Sequence, residues 1–361
     1  MYIYRNVCKS IAIYYMKIDW IIGWIQEDGT NNAHRIRENN ELLFCLRSIY
    51  KYCSWINKIH IILGRDCNPP TWLKEHNKIN LVKESSLYQP VQKNSETKKL
   101  FYGRIKNIAE YFISSDDDMF LLNKLYVNEL IYNNKPIINS TGFYSNFKDD
   151  DSGHIPIIWK RDDYNKIIDR YININYYLNL NDKRVNPFPE IKQHLINHRL
   201  AYKGFIKKPH AWVRTGETIN KFIYQLATIN VNKHRMKYIC INDEFSSDNT
   251  IYHTEYNILH SFFNMHFNYN APWEKKFITA QHLIGKSNTN TKDIIINLNN
   301  DILDNSTIII KKYKSVYDDN FKFNIKNKNK NSFTISIKRL DRNIGWGQNL
   351  LINYTIVNNS I

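Results

Sequence analysis

The first 125 residues alternate short β-branched apolar runs with stretches of helical periodicity, and this order restricts the fold more than any other feature of the chain. Lys17–Ile25 reads as a buried strand entering a turn at Asp28-Gly29. Glu38–Tyr52 carries Leu42, Leu43, Leu46, Ile49 and Tyr50 at helical spacing. Lys58–Leu63 and Ile79–Val82 are two further strands, with a break at Pro69-Pro70 between them. Ser95–Phe112 has helical spacing and leads into ISSDDDMFLL, a short strand followed by acids. Strands separated by helices predict an α/β fold, a mostly parallel sheet with flanking helices. Ligands of such sheets sit beyond the carboxyl ends of the strands, where Asp28-Gly29 and Asp116–Asp118 fall.

Residues 126–275 read as a mixed continuation in which KYICI, at 237–241, is a compact strand ending beside Asp243. From 277 to 361 the pattern changes to short β-branched runs between Asn- and Lys-rich turns, which predicts a small C-terminal all-β domain. The expected division is therefore 1–276 and 277–361.

Charge and cysteine usage narrow the classes. Fifty Lys and Arg against 34 Asp and Glu leave a formal charge of +16, which invites a polyanion. However, the chain has no zinc-ligand spacing, no RNP-type aromatic motif and no isolated basic arm, so no specific nucleic-acid partner is expected. The abundance of Asn, Ile, Lys and Tyr also fits AT-rich coding DNA, which weakens the total charge as a functional signal. Five cysteines without pattern argue against a disulfide scaffold. Lys9, Lys17 and Asp19 interrupt the apolar N-terminal segment, and no run of 18 apolar residues occurs. The reading is a cytoplasmic protein, with peripheral attachment to an anionic membrane face as an option its Lys and Arg leave open.

Asp116-Asp117-Asp118 is the sharpest local signal for chemistry. Three successive carboxylates at a strand end repel one another unless a cation compensates them, and Mg²⁺ takes one or two carboxylates plus phosphate oxygens. An exposed acidic turn is the bland alternative. Arg35 and Arg37 precede a helix that carries Arg47, and arginines near a helix start can clamp phosphate; a solvated first turn is the competing reading. His154 lies in a Gly-His-Ile-Pro turn, and Arg214 and Glu217 form a short Arg-x-x-Glu element that a surface ion pair would also explain. Asp243 can bring a second acid to the same end of the sheet or serve as a helix cap. Trp346 suits either a sugar-binding surface or a sandwich core.

Taken in order, these segments resemble the Stealth family of sugar-1-phosphate transferases, which includes capsular polysaccharide phosphotransferases and an N-acetylglucosamine-1-phosphotransferase. The family's Ile-Asp-x-x-x-x-Trp-Val strand is similar to Ile18-Asp19 with Trp24-Ile25. Its second block resembles RIRENNELLFCLRSI, keeping Arg35, Arg37, Asn39, Glu41, Arg47 and Ser48, then Pro70-Thr71-Trp72-Leu73 and the Asn94-Ser95 step. That block closes on Asn-Asp-Asp-x-Phe, here Asp116-Asp117-Asp118-Met119-Phe120. A third block looks like His154-Ile155-Pro156 with Arg214 and Glu217. The fourth is close to KYICIND at 237–243 with Pro272-Trp273-Glu274. Two departures stand out: Asp116 replaces the usual Asn, and Lys99 sits where the family often has Glu.

The resemblance implies a nucleotide-sugar-transferase-like fold and an enzyme that moves a sugar-1-phosphate from a nucleotide sugar, a UDP-sugar first among them, to a glycan or polysaccharide hydroxyl. It implies Mg²⁺ or Mn²⁺ on Asp117 and Asp118, with Asp243 as a helper. His154 would be the base, and Arg214, Arg37 and Arg47 would balance phosphate charge. Asp19, Arg35, Asn39, Asn94, Ser95 and Glu217 would line the donor pocket. A metal-dependent glycosyltransferase that moves the sugar without its phosphate would carry a similar acidic cluster.

Overall fold

The computed structural model describes residues 16–25, 40–89, 96–140, 155–180, 185–205, 211–214, 219–232, 234, 236–242, 249–274, 277–297, 306–314, 320–329, 332–341, 343–347 and 350–358. Packing divides the chain into two units, one of residues 1–70 and 75–271, the other of 71–74 and 272–361. In chain order the first unit contains β1 (Ile18–Trp24), α1 (Glu41–Tyr52), β2 (Ile59–Leu63), β3 (Ile79–Lys83), β4 (Tyr111–Asp116), β5 (Met119–Leu121), α2 (Val127–Leu130), β6 (Ile131–Tyr132), β7 (Lys135–Ser140) and β8 (Ile157–Lys160). There follow α3 (Arg161–Tyr171), α4 (Ile174–Leu178), α5 (Phe188–Asn197), β9 (Tyr202–Phe205), β10 (Ala211–Arg214), α6 (Ile219–Asn232), β11 (Tyr238–Asn242) and α7 (Asn249–Phe267).

The main sheet runs β3-β2-β1-β4-β8, parallel throughout except for the antiparallel edge strand β8. This is the mixed sheet with flanking helices of an α/β protein. β1 is central and buried at every position, and its near-continuous apolar sequence IDWIIGW is what a strand covered on both faces requires. One face packs on Leu100, Phe101, Tyr102, Trp159, Tyr164, Ile168 and their neighbours in a single apolar cluster. A second sheet, β10-β11-β5, contains β5, the strand that directly follows the acids.

The predicted helix over Ser95–Phe112 forms differently. A 3₁₀ segment occupies Thr97–Arg104, and Tyr111 and Phe112 belong to β4. Two residues stop the helix. Gly103 lies against α3, where a Cβ would meet Asn165 Oδ1 at 2.3 Å, and Asn107 takes a left-handed φ of 61°. Among the described residues no helix is long and apolar enough to cross a membrane.

In the second unit the described strands are β12 (Phe277–Ile284), β13 (Thr291–Asn297), β14 (Ser306–Lys314), β15 (Phe321–Lys326), β16 (Ser332–Arg339) and β17 (Leu350–Asn358). They pair antiparallel as two sheets, β12-β17-β14 and β13-β16-β15. Phe333, Ile335, Leu350 and Ile352 form the core of this unit. Trp346 belongs to that core: it is 3% exposed, stands edge-on to Phe321 and donates its indole N–H to the Gly285 carbonyl at 3.2 Å. The sugar-binding alternative for Trp346 is therefore withdrawn, because a buried ring offers no face to a ligand.

Candidate active site

The acids occupy the turn between β4 and β5, immediately past the carboxyl end of β4. The approach to that turn is fixed by two indoles on flanking strands. Trp20 donates to Ser115 Oγ at 2.8 Å and Trp159 donates to Ser114 Oγ at 2.7 Å. Beyond the turn, Phe120 packs against Phe263 and Phe267 of α7, and the Leu121 N–H donates to Ser48 Oγ on α1. Apolar packing on one side and indole hydrogen bonds on the other thus hold three carboxylates in place.

Their electrostatics are unfavourable as they stand. Asp118 accepts the Cys240 thiol proton on Oδ2 at 3.2 Å, while Oδ1 is buried with no hydrogen-bond partner among the described residues. Burial, then the charges of Asp116 and Asp117, push the Asp118 carboxyl up to about 8. Burial and Asp116 raise Asp117 to about 6, against a pull downward from Lys98. An orphaned carboxylate oxygen beside two further acids is a site that a hard cation fits, since the cation removes both the repulsion and the missing bond. Among the described residues no three His, Cys, Asp or Glu side chains are grouped to hold a metal. Asp117 and Asp118 would therefore share such an ion with oxygens of a ligand, a division of coordination usual for Mg²⁺.

Two lysines that the sequence reading left without a role border the turn. Lys99, 4% exposed, bonds Glu96 Oε2 at 2.7 Å and lies 3.7 Å from Asp116 Oδ1, with its ammonium over the Phe188 ring. Burial alone would lower its pKa, but Asp116 and Glu96 outweigh burial and raise it, so Lys99 stays charged. Lys98 is 8% exposed and is the cation that acts on Asp117. Both come from the 3₁₀ segment, whose mixed polar sequence TKKLFYGR shows no amphipathic stripe. Only the doubled lysine hinted that charge is carried there. A small cleft lined by Lys99, Tyr102, Ser115, Asp116, Ile155 and Phe188 opens beside them.

β11 joins the neighbouring segments to this turn. Its Ile241 N–H donates to the Asp118 carbonyl at 2.9 Å, and Arg214 of β10 pairs in register with Asn242. The backbone of β11 therefore reaches the acidic turn one residue before Asn242, and Arg214 lies one strand further away. Ile155 lines the cleft, which brings the chain to within one residue of His154. The positions of Arg35, Arg37, Asn39, Asn94, Ser95, His154, Glu217 and Asp243, and the side chain of Arg214, lie outside the described residues.

Two expected ligand contacts are corrected. Asp19 is the second residue of β1, paired with Phe112, whereas Gly23 pairs with Asp116. Four residues of strand, about 13 Å, separate Asp19 from the level of the acids. Its carboxylate is fully buried and accepts from Asn57 Nδ2 at 2.7 Å, the Lys58 N–H at 3.1 Å, His60 Nε2 at 2.9 Å and the Ala109 N–H at 2.8 Å. Burial would raise its pKa, yet the donors from His60, Asn57 and Ala109 outweigh burial and hold it below the ordinary value. Asp19 is a structural anchor at the amino-terminal end of the sheet. Arg47, 7% exposed, donates to the Phe267 carbonyl at 3.1 Å and to Asn270 Oδ1 at 2.9 Å. Its guanidinium caps the carboxyl end of α7, where free carbonyls and the helix dipole favour a cation, and so ties α7 to α1.

Comparison with known proteins bears on this same region. The exopolysaccharide phosphotransferase CpsY of Mycobacterium tuberculosis is 33% identical over 101 residues, which is 27% of this chain and 19% of that protein. The capsular polysaccharide phosphotransferases LcbA of Aeromonas hydrophila and Neisseria meningitidis are 30% and 29% identical, over 26% and 35% of this chain and 26% and 41% of their own lengths. The chain thus spans less than half of each of these relatives. Among solved structures, the apo form of the glycosyltransferase GlyE of Streptococcus pneumoniae aligns with a TM-score of 0.40 at 10% identity, covering 71% of this chain and 66% of that one. Residues 35–138 match the family model for Stealth protein CR2, conserved region 2. These residues hold α1, β4 and the acidic turn, so the part of the chain that carries the acids is the part similar to the Stealth family.

Proposed function

We propose that this protein transfers a sugar-1-phosphate from a nucleotide sugar to a glycan hydroxyl and releases the nucleoside monophosphate. The acceptor oxygen forms a bond to the sugar-bearing phosphorus, and the bond from that phosphorus to the bridging oxygen breaks. The nucleoside monophosphate leaves with the bridging oxygen and its electron pair, and the acceptor proton passes to a base. The observation that carries the reading is Asp118 Oδ1, without a hydrogen-bond partner among the described residues and set in the stretch that matches the Stealth conserved region 2 model, in a chain with relatives named polysaccharide phosphotransferases. Phosphoryl transfer rests mainly on positioning and charge, which a rigid, charged turn can supply.

Asp117 and Asp118 are the groups that would hold Mg²⁺ or Mn²⁺. Such an ion, when bound, supplies positive charge against the diphosphate oxygens. Lys99 offsets Asp116, so the turn is not left wholly anionic when a negatively charged donor arrives. His154 is proposed to take the acceptor proton, and its place one residue before the cleft-lining Ile155 supports this. Arg37 and Arg214 are proposed to face phosphate, with Asp243 as a further acid. Arg35, Asn39, Asn94, Ser95 and Glu217 are proposed to line the donor pocket. The second unit is proposed as a β-rich accessory domain.

The test is to incubate the full chain with a panel of nucleotide sugars, beginning with UDP-sugars, in the presence of Mg²⁺ and a glycan acceptor, and to identify the nucleotide released. Monophosphate supports the reading. Diphosphate would make the protein a sugar transferase that leaves the phosphate behind, and absence of any release across the panel would overturn it.

A further inference from the structure

Above Gly23, the residue of β1 that pairs with Asp116, two polar groups of buried residues converge without a hydrogen-bond partner among the described residues. A Cβ on residue 23 would meet Lys98 Cε and Nζ at 2.8 Å and Tyr102 Oη at 3.4 Å. Tyr102 is 1% exposed, and its hydroxyl has no hydrogen-bond partner among the described residues. Lys98 is 8% exposed, and its ammonium makes no hydrogen bond or ion pair among the described residues. Leaving such groups unpaired in the interior is unfavourable, more so for a charge than for a hydroxyl. Two donors therefore converge on the clearing over Gly23, which the Lys98 ammonium itself occupies, with no hydrogen-bond acceptor for either among the described residues. The glycine leaves this room to the ammonium, because a side chain there would occupy its place.

We propose that Lys98 Nζ and Tyr102 Oη over Gly23 form an anion subsite for a phosphoryl oxygen. The clearing lies at the carboxyl end of the central strands, at the level of Asp116, and Tyr102 also lines the cleft beside the acids. An ammonium and a phenolic O–H are both donors, and burial together with the nearby Asp116 and Glu96 charges keeps the phenol protonated. The Tyr102 ring is steadied edge-on by Phe188, and Lys99 is held by Glu96, so Lys98 is the lysine of the pair left to meet a ligand. Identifying the occupant as a phosphate group of the nucleotide-sugar donor rests on the proposed function. The anion subsite itself does not.

The experiment titrates inorganic pyrophosphate, and separately a UDP-sugar, into the full-length protein and into Lys98→Met, Tyr102→Phe and Gly23→Ala, with thermal unfolding of each. Lys98→Met is expected to weaken pyrophosphate at least about tenfold, as loss of a charge-assisted hydrogen bond does. Tyr102→Phe should weaken it about three- to tenfold while its melting temperature stays level or rises, since the hydroxyl removed had no partner. Gly23→Ala should fold, because the atom it displaces is the free end of a flexible side chain, and should bind more weakly. A structural role alone would not give weaker binding with unchanged or greater stability. Should Lys98→Met fail to fold, Tyr102→Phe carries the test by itself. Wild-type affinity in the folded variants, or no pyrophosphate binding by the parent protein, overturns the subsite. Weakened pyrophosphate binding in the variants, from a parent that releases no nucleotide from any donor, would keep the subsite for free phosphate and reject the transferase reading. Nucleotide release that is insensitive to these substitutions would do the reverse.

Discussion

Asp19, near the start of β1, and Asp118, just past the end of the adjacent strand β4, are aspartates of one sheet in opposite surroundings. Four donors surround the Asp19 carboxylate and hold its pKa down against the effect of burial. Among the described residues Asp118 has a thiol as its one side-chain donor, two acids as neighbours and an oxygen without a partner, and its pKa is driven up. Both residues adjoin apolar strand sequence, and both belong to blocks that resemble the same family. Counting donors separates them. A carboxylate whose bonds are met within the protein is part of the scaffold, and one whose bonds are unmet is available to a ligand. Lys99 and Lys98 repeat the contrast among the cations, the first paired with Glu96 and Asp116, the second near Asp117 but with no hydrogen bond or ion pair among the described residues.

The largest effect expected on the scaffold side comes from Asp19→Ala. Removing this acid strands His60, Asn57 and two backbone N–H groups in the interior, and should cost about 3–5 kcal/mol in urea unfolding. Because the Asp19 pKa is depressed, its contribution is present above the ordinary value of 3.8 and is lost as the pH falls below it. Retention of full stability would break the division between the two carboxylates. Arg47→Met comes next. It loses the bonds to Phe267 and Asn270, with an expected cost of about 2 kcal/mol and little change in donor affinity. A large rise in KM without loss of stability would return Arg47 to the phosphate site.

The smallest effect is a pH dependence of opposite sign at the acidic turn. Unfolded, Asp117 and Asp118 release their protons near 3.8, whereas folded they hold them to about 6 and about 8. The native state therefore binds more protons, and this contribution makes stability fall as the pH rises between those values. The melting temperature should drop on the order of 3 °C between pH 5.5 and 8. Millimolar Mg²⁺ or Mn²⁺ should restore it at pH 8 and do little at pH 5.5. A melting temperature indifferent to both pH and cation would remove the reason for placing a metal there.

Much of the scaffold was legible because it is local. β1, α1, β2, β3 and β11 lie within one to three residues of the runs that predicted them, since β-branched runs and a 3.6-residue stripe are properties of adjacent residues. The acidic turn was legible for the same reason. The role of Asp19 was not, because its donors Asn57, His60 and Ala109 lie 38 to 90 positions away and only the sheet register assembles them. Arg47 was misread likewise, its partners lying 220 and 223 positions further on. Lys98 and Tyr102 were silent because 3₁₀ geometry has no strong sequence pattern, and because the clearing they share exists only through Gly23 on another strand. β12 went unread because FITAQHLI interrupts its β-branched residues with Ala, Gln and His.

The most direct test of the central claim is to measure thermal stability and nucleoside monophosphate release side by side for Asp118→Asn at pH 8. The account predicts a melting temperature equal to or above that of the parent, since a crowded carboxylate with a bare oxygen has been neutralised, together with a fall in release of about 100-fold or more. A lower melting temperature with release retained would show that Asp118 belongs to the scaffold, as Asp19 does, and would contradict the account.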